Sequence, residues 1–521
     1  MKKPVFESAE EFLQERSFFD LGILPTEQPN PRTLQLSTLA RENVPLGIQT
    51  IKEVDDDAFQ ALVTLGADFS ELARRIHATL ASGHRIFLCG CGATGRLSLA
   101  LESIWRSERP EQKDALIGFM AGGDLALVRS VENFEDIPAF GARHLLDLGF
   151  RTGDLLLSPT EGGETPFVIG ATEEAARVAA QEGGQKPYFL YCNPDSVLTP
   201  HVERSRNVIL SPWIEKISIP TGPMALSGST RLQASTVLMH GIGLALFYPD
   251  LSPQTFSQLV QEFREKVAKI SWSFLAPFIE FESTAVANGF SLLYTTDIFG
   301  ISILTDTTER SPTFSLRAFE NSFDPPNTPT SLAYLGIHGA NHAANAWTKI
   351  LGRLPQGLSW PEYENRLSQK IALGFDFSET GMAARKTRVG ADKQEIIDIR
   401  ESEDQIQISF SDKKILVPTT FPDRKASLLE KHLLLKLILN IHSLLVMGRL
   451  GRYEKNIMTW VRPSNGKLID RSVRYIRYLL EQEGKHFSYE KVTERLFDIR
   501  KTSREDEPIV LKVVNTFNEK N

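Results

Sequence analysis

The sequence predicts an α/β fold with mostly parallel sheets, divided over at least two domains. Three observations predict it. Short apolar runs of strand length alternate with amphipathic helical stretches through the first half. A glycine-rich turn falls directly between one such strand and the helix after it. The 521 residues also exceed what one hydrophobic core usually supports.

The elements follow in order. Residues 1–45 carry Pro25, Pro29 and Pro31 among Asn, Thr and Glu, a composition suited to an extended arm. A helix is expected over 55–81, a strand over 85–89, a helix over 97–106 and a strand over 115–120. Strands at 154–158, 187–192, 207–210 and 217–219, with a helix at 165–182, continue the alternation and place helices on both faces of a sheet. A long helix over 228–247 ends before Pro249 and Pro253, which sets a boundary and gives a first domain over 46–250. The second, 251–474, opens with a helix over 254–274, a strand over 290–294 and a loop leading towards Leu304. It carries a β-like stretch over 395–417 and a strongly apolar helix over 425–447, and a charged helical tail fills 475–521.

Composition narrows the function classes. A net charge of −7, with both signs interspersed, argues against a nucleic-acid surface. Three cysteines in a chain of this length cannot form a disulfide framework, so a reducing, cytoplasmic setting is expected. Acidic residues appear before any apolar stretch of signal-peptide length, and no apolar run near 18 residues is apparent, so no membrane span is expected.

The chemistry starts at Gly90-Cys91-Gly92-Ala93-Thr94-Gly95-Arg96. A turn between strand and helix presents unpaired backbone N–H groups, which favour an anion. Glycine lets the backbone approach closely, Thr94 adds a hydroxyl and Arg96 adds charge. The spacing of Gly90, Gly92 and Gly95 also matches the dinucleotide fingerprint, with Asp124 where a ribose-binding acid could lie. Gly122-Gly123 after the next strand and Arg96 after the third glycine favour a sugar phosphate, but this segment alone leaves both ligands open.

More motifs follow in a fixed order. They are Thr26-Glu27-Gln28-Pro29-Asn30-Pro31, the glycine-rich loop, Ala121-Gly122-Gly123, Val131-Glu132-Asn133-Phe134-Glu135-Asp136 and Cys192-Asn193-Pro194. Ser227-Gly228-Ser229-Thr230-Arg231-Leu232, Leu450-Gly451-Arg452, Asn456-Ile457-Met458 and Ser464-Asn465-Gly466-Lys467-Leu468 complete the series. In this set and order the chain resembles the bacterial N-acetylmuramic acid 6-phosphate etherases. Its doubled length is similar to the glucokinase regulatory proteins of animals, which carry two sugar-isomerase (SIS) domains. The resemblance implies two tandem three-layer αβα SIS domains, the second degenerate, forming a pseudo-dimer within one chain.

It also implies a site. The phosphosugar would be held by Gly90, Gly92, Thr94, Gly95, Arg96, Gly122, Gly123, Gly163, Thr165, Ser229, Thr230, Arg231, Asn465 and Lys467. The family's helix glutamate aligns with Ile104, with Glu102 two positions away, whereas Asp306-Thr307-Thr308-Glu309-Arg310-Ser311-Pro312-Thr313-Phe314 resembles the same helix end and keeps the acid. One composite site is therefore expected, with Glu135 as base and Glu309 as acid, releasing lactate and N-acetylglucosamine 6-phosphate from N-acetylmuramic acid 6-phosphate. The alternative implied by the second family is a non-enzymatic sugar-phosphate sensor controlling a sugar kinase. Neither calls for a cofactor or a metal.

Departures from the pattern bear on the substrate. The second phosphate loop reads Ser158-Pro159-Thr160-Glu161-Gly162-Gly163-Glu164-Thr165, where two carboxylates would repel a phosphate unless turned away. Met224 replaces the family glutamate and Gln233 the family lysine. His338 and His342 stand four apart in a helix-like run, a spacing that can put two imidazoles on one face, although packing or capping explains them more simply.

Overall fold

The computed structural model describes residues 6–131, 134–504 and 507–519. Glu132 and Asn133 of the quoted motif, and residues 1–5, 505–506 and 520–521 of the arm and tail, lie outside the described residues.

The chain forms an α/β fold with two sheets and a helical C-terminal region. The N-terminal residues are not a simple extended arm. They form a short helix, α1 (Ala9–Glu15), and 3-10 turns, because Phe12, Leu21 and Leu24 bury themselves in the core. The helix expected over 55–81 is two, α2 (Val44–Val63) and α3 (Gly66–Ala81). They part at Gly66, where a Cβ would come within 2.4 Å of the Pro253 carbonyl oxygen.

Then come β1 (Ile86–Gly90), α4 (Ala93–Glu108), β2 (Leu116–Met120), β3 (Leu155–Thr160), α5 (Pro166–Glu182), β4 (Tyr188–Tyr191) and β5 (Glu215–Ser218). Every residue of β1 and of β3 is buried, as expected for parallel strands covered on both faces. The strand expected at 207–210 is instead part of a helix, Glu203–Ile209, whose buried Ser205, Val208 and Ile209 fall at helical spacing. The long helix α6 (Gln233–Phe247) begins five residues after Gly228, whose φ of 68° turns the chain first.

In the second half, β6 (Ser291–Thr296) leads not into a loop but into α7 (Gly300–Phe314), with Leu304 buried in its core-facing stripe. β7 (Ala333–Ile337), β8 (Gln394–Ser402), β9 (Gln405–Phe410) and β10 (Lys413–Pro418) complete the strands. α8 (Leu428–Arg449), α9 (Gly466–Gln482), α10 (Tyr489–Arg500) and α11 (Ile509–Asn518) close the chain. Against expectation, α8 is long and apolar enough to cross a membrane by length and composition. In this fold it is a core helix: 89% of its apolar window is buried among elements of both halves.

The first sheet is parallel throughout, in the order β2-β1-β3-β4-β5. The second runs β10-β9-β8-β6-β7, with β7, β6 and β8 parallel and β9 and β10 added as an antiparallel meander. The order 7-6-8 repeats 2-1-3, so each sheet has a central strand whose neighbours diverge to either side. At such a switch point the loops after adjacent strands separate and leave a crevice at the carboxyl ends.

Candidate functional site: a cavity shared by the two halves

The crevice of the first sheet opens between β1 and β3. Residues 90–92 turn from β1 into α4 and residues 161–165 turn from β3 into α5. The second half closes the crevice with α7 and the start of α9. The result is a cavity of about 230 Å³.

The N-caps of α4, α5 and α9 are Gly92, Thr165 and Asn465, and each lines this cavity. The positive ends of three helix dipoles thus meet in one space, an arrangement that favours an anion. Arg96, Ser229, Thr230, Arg231 and Lys467 line it too, and so do Glu135 from the first half and Glu309 from α7. Ser229 Oγ is buried without a protein partner.

Other expected residues stand outside the lining. A Cβ on Gly90 would come within 2.3 Å of the Thr94 and Gly95 backbone, and one on Gly95 within 2.4 Å of Met120 Cβ, so these glycines allow the β1–α4 turn to close. The Thr94 hydroxyl accepts from the Cys91 N–H (3.0 Å) and donates to the Cys91 carbonyl (2.9 Å), holding the same turn. Gly122 and Gly123 have positive φ in the loop after β2, and Gly163 sits against Leu198 behind the lining. Ile104 is buried in the core.

The charges are paired across the halves. Arg96 Nη1 meets Glu309 Oε1 at 2.8 Å, and their side chains are 3% and 11% exposed. Lys467 Nζ lies 3.3 Å from Glu135 and 2.7 Å from Glu164. Arg231 bonds Asp306 at 3.1 Å. Of the two carboxylates expected in the second phosphate loop, Glu164 turns away to Lys467 and to Arg204 (2.8 Å). Burial opposes its ionisation, but Lys467 and then Arg204 outweigh it and hold the carboxyl down at about 2. Glu161 does face the cavity, and burial pushes it up to about 8, with Glu309 and Glu135 adding repulsion.

Sequence reasoning assigned no site role to Glu27, Glu161 and Arg471, all of which line the cavity. Arg471 Nη2 lies 2.6 Å from Glu27, whose carboxyl is held below its ordinary range by Arg471 and Arg474 against the effect of burial. Glu27 stands in the Thr26–Pro31 motif, which marks it; Arg471 lies three residues past the motif ending at Leu468, with no local signal. The motifs also bond one another. Asn193 accepts from the Thr26 N–H (3.2 Å) and donates to the Gly162 carbonyl (3.0 Å), Ser227 Oγ donates to the Glu27 carbonyl (2.9 Å), and Asn456 donates to the Asn30 carbonyl (2.9 Å).

Two readings lose their footing. Asp124 accepts from Arg353 and from the Gln356 N–H (2.6 Å), so its carboxylate is committed away from any ribose. Glu102 is likewise a structural acid, 2.8 Å from the same Arg353 and 3.0 Å from Arg106. His338 follows the last residue of β7 and pairs with Asp398 (2.7 Å), whereas His342 caps the helix Ala343–Leu351, so the two do not share a helix face. Gln233 donates to Asp55 (2.6 Å) and Met224 is fully buried.

Two sheets with a crevice of this kind define the class as a doubly wound α/β protein with a ligand-type crevice, and similarity to known proteins places it among SIS-domain proteins. Residues 70–176 match the family model of the glucokinase regulatory protein N-terminal SIS domain. The chain is 33% identical over 225 residues to the N-acetylmuramic acid 6-phosphate etherase of Parasynechococcus marenigrum, covering 43% of this chain and 65% of that one. The etherase of Salmonella agona matches at 31% over 217 residues (42% and 67%), and that of Synechocystis sp. at 33% over 238 residues (45% and 69%). The chain thus spans about two thirds of the length of the relatives it matches. It belongs to the SIS-domain superfamily that contains these etherases and is related to the glucokinase regulatory protein.

Proposed function

We propose that this cavity binds a sugar phosphate and that the chain is a carbon–oxygen lyase cleaving the lactyl ether of N-acetylmuramic acid 6-phosphate. The observation that carries the reading is that three helix N-caps and two glutamates from opposite halves line one cavity. The helix ends and Arg96 receive the phosphate. Glu135 takes the proton from C2 of the open-chain aldehyde, the C3–O bond breaks, and Glu309 protonates the departing lactyl oxygen. Water then adds at C3 through Glu309, and the proton returns to C2 from Glu135, leaving N-acetylglucosamine 6-phosphate and lactate.

The Arg96–Glu309 pair couples binding to this chemistry. A phosphate that draws Arg96 to itself releases Glu309 from its ion pair. In this reading residues 46–250 and 251–474 act as the two SIS units, with one site per chain. The test is lactate release from N-acetylmuramic acid 6-phosphate. Glu135→Gln is expected to lower it by about 10²–10⁴-fold, and no release at high protein concentration refutes the lyase.

The match to the glucokinase regulatory protein domain and the ion-paired state of both glutamates favour a second reading, a sugar-phosphate sensor that controls a sugar kinase. Hexose-phosphate-dependent association with a sugar kinase, without turnover, would select it.

A further inference from the structure

We propose that Glu161 is a ligand-binding residue of this cavity, meeting an anionic oxygen of the sugar phosphate as a neutral carboxylic acid whose O–H donates. The inference rests on the phosphosugar reading and deepens it.

Three observations lead there. Glu161 lines the cavity and is only 7% exposed. Its Oε1 is buried without any hydrogen-bond partner, although the cationic side chains on the lining are paired: Arg96 with Glu309, Arg231 with Asp306, Lys467 with Glu135 and Glu164, and Arg471 with Glu27. It also follows directly on β3, at the loop whose end caps α5, where an anion would sit.

A buried carboxylate left unpaired is costly, and a second anion in the same space raises that cost. A protonated carboxyl removes the repulsion and lets the unpartnered oxygen donate its O–H to the anion. An apolar site can keep a carboxylic acid neutral near pH 7 so that it donates.

The surroundings of Glu161 support this. Glu135, Glu309 and Glu27 face the cavity from the loop after β2, from α7 and from the N-terminal residues, and Glu164 is paired to Lys467. Arg96, Arg231, Lys467 and Arg471 oppose them, with Lys436 of α8 further off. Burial first, with repulsion from Glu309 and Glu135 partly offset by Lys467, raises the carboxyl to about 8, so the neutral form dominates at pH 7. Asp136 and Lys436, both brought to about 7, titrate nearby, and the Cys91 and Cys192 thiols are pushed up by burial. The test must therefore isolate Glu161 from them.

The affinity for N-acetylglucosamine 6-phosphate is measured by calorimetry from pH 7 to pH 9, where a phosphate monoester with its second pKa near 6 is already a dianion. If only the protonated form is competent, the apparent Kd scales inversely with its population and rises about tenfold over this range. Binding is expected to take up about half a proton at pH 8, read from buffers of different ionisation enthalpy on the unmodified protein. Glu161→Gln, which keeps a donor, should flatten the profile, and Glu161→Leu should be flat but about tenfold weaker at every pH. A pH-independent Kd without proton uptake, or a slope that persists in Glu161→Gln, overturns this inference and leaves the phosphosugar reading intact. No binding of the sugar phosphate at any pH overturns both.

Discussion

Replacing Lys467 by methionine removes the cation that Glu135 and Glu164 share, and the cost follows from the structure. Glu164 is 3% exposed, and its carboxyl lies at about 2 instead of 4.5. At 1.36 kcal/mol per unit, that difference amounts to about 3 kcal/mol of net stabilisation of the ionised form. Arg204 shares the task at 2.8 Å, while Lys467 is the stronger contributor, so Lys467→Met should lower stability by about 2 kcal/mol.

The sign with pH is fixed. A lowered carboxyl contributes stability above its unfolded value and loses it as pH falls through the folded value. The gap between the two proteins should therefore be full at pH 7 and shrink from about pH 4.5 towards pH 2. Urea unfolding at a series of pH values measures it, and Lys467→Met combined with Glu164→Gln should recover part of the loss. A gap below about 0.5 kcal/mol at pH 7, or one that does not narrow in acid, refutes the reasoning.

Two further predictions concern the frame of the site. Arg353→Met leaves the buried Glu102 with Arg106 and the buried Asp124 with the Gln356 N–H, and should cost about 3 kcal/mol in thermal unfolding, partly restored by adding Glu102→Gln. Burial raises Asp55 to about 7, so the folded protein holds this proton longer than the unfolded chain does. That stability is complete below about 3.8 and lost as pH rises to 7; Asp55→Asn should flatten this part of the Tm profile.

Much of the site was legible because its motifs face one another. Thr26, Glu27 and Asn30, Asn193, Ser227 and Asn456 carry the contacts that bind the N-terminal residues, the β3 loop and the segments at Ser227 and Asn456 into one wall, and Arg471 of α9 joins it through Glu27. The alternation of strand and helix was also legible, since buried parallel strands leave short apolar runs. Individual elements failed where short range misled. Residues 207–210 carry strand-like composition but lie at the end of a helix whose burial follows helical spacing, and the stretch around Leu304, loop-like in sequence, is the helix that carries Glu309.

The sequence by itself determined the fold class, the glycine turn after β1 and the residue types available for an anion, because these depend on local periodicity and backbone freedom. Only the tertiary structure decided what each polar group does. It committed Glu102 and Asp124 to Arg353, turned Glu164 towards Lys467, and left Glu161 facing the cavity without a partner. It brought Glu309 to Arg96 across 213 positions of sequence. Ion pairing and burial are set by neighbours distant along the chain, and no window of sequence contains them.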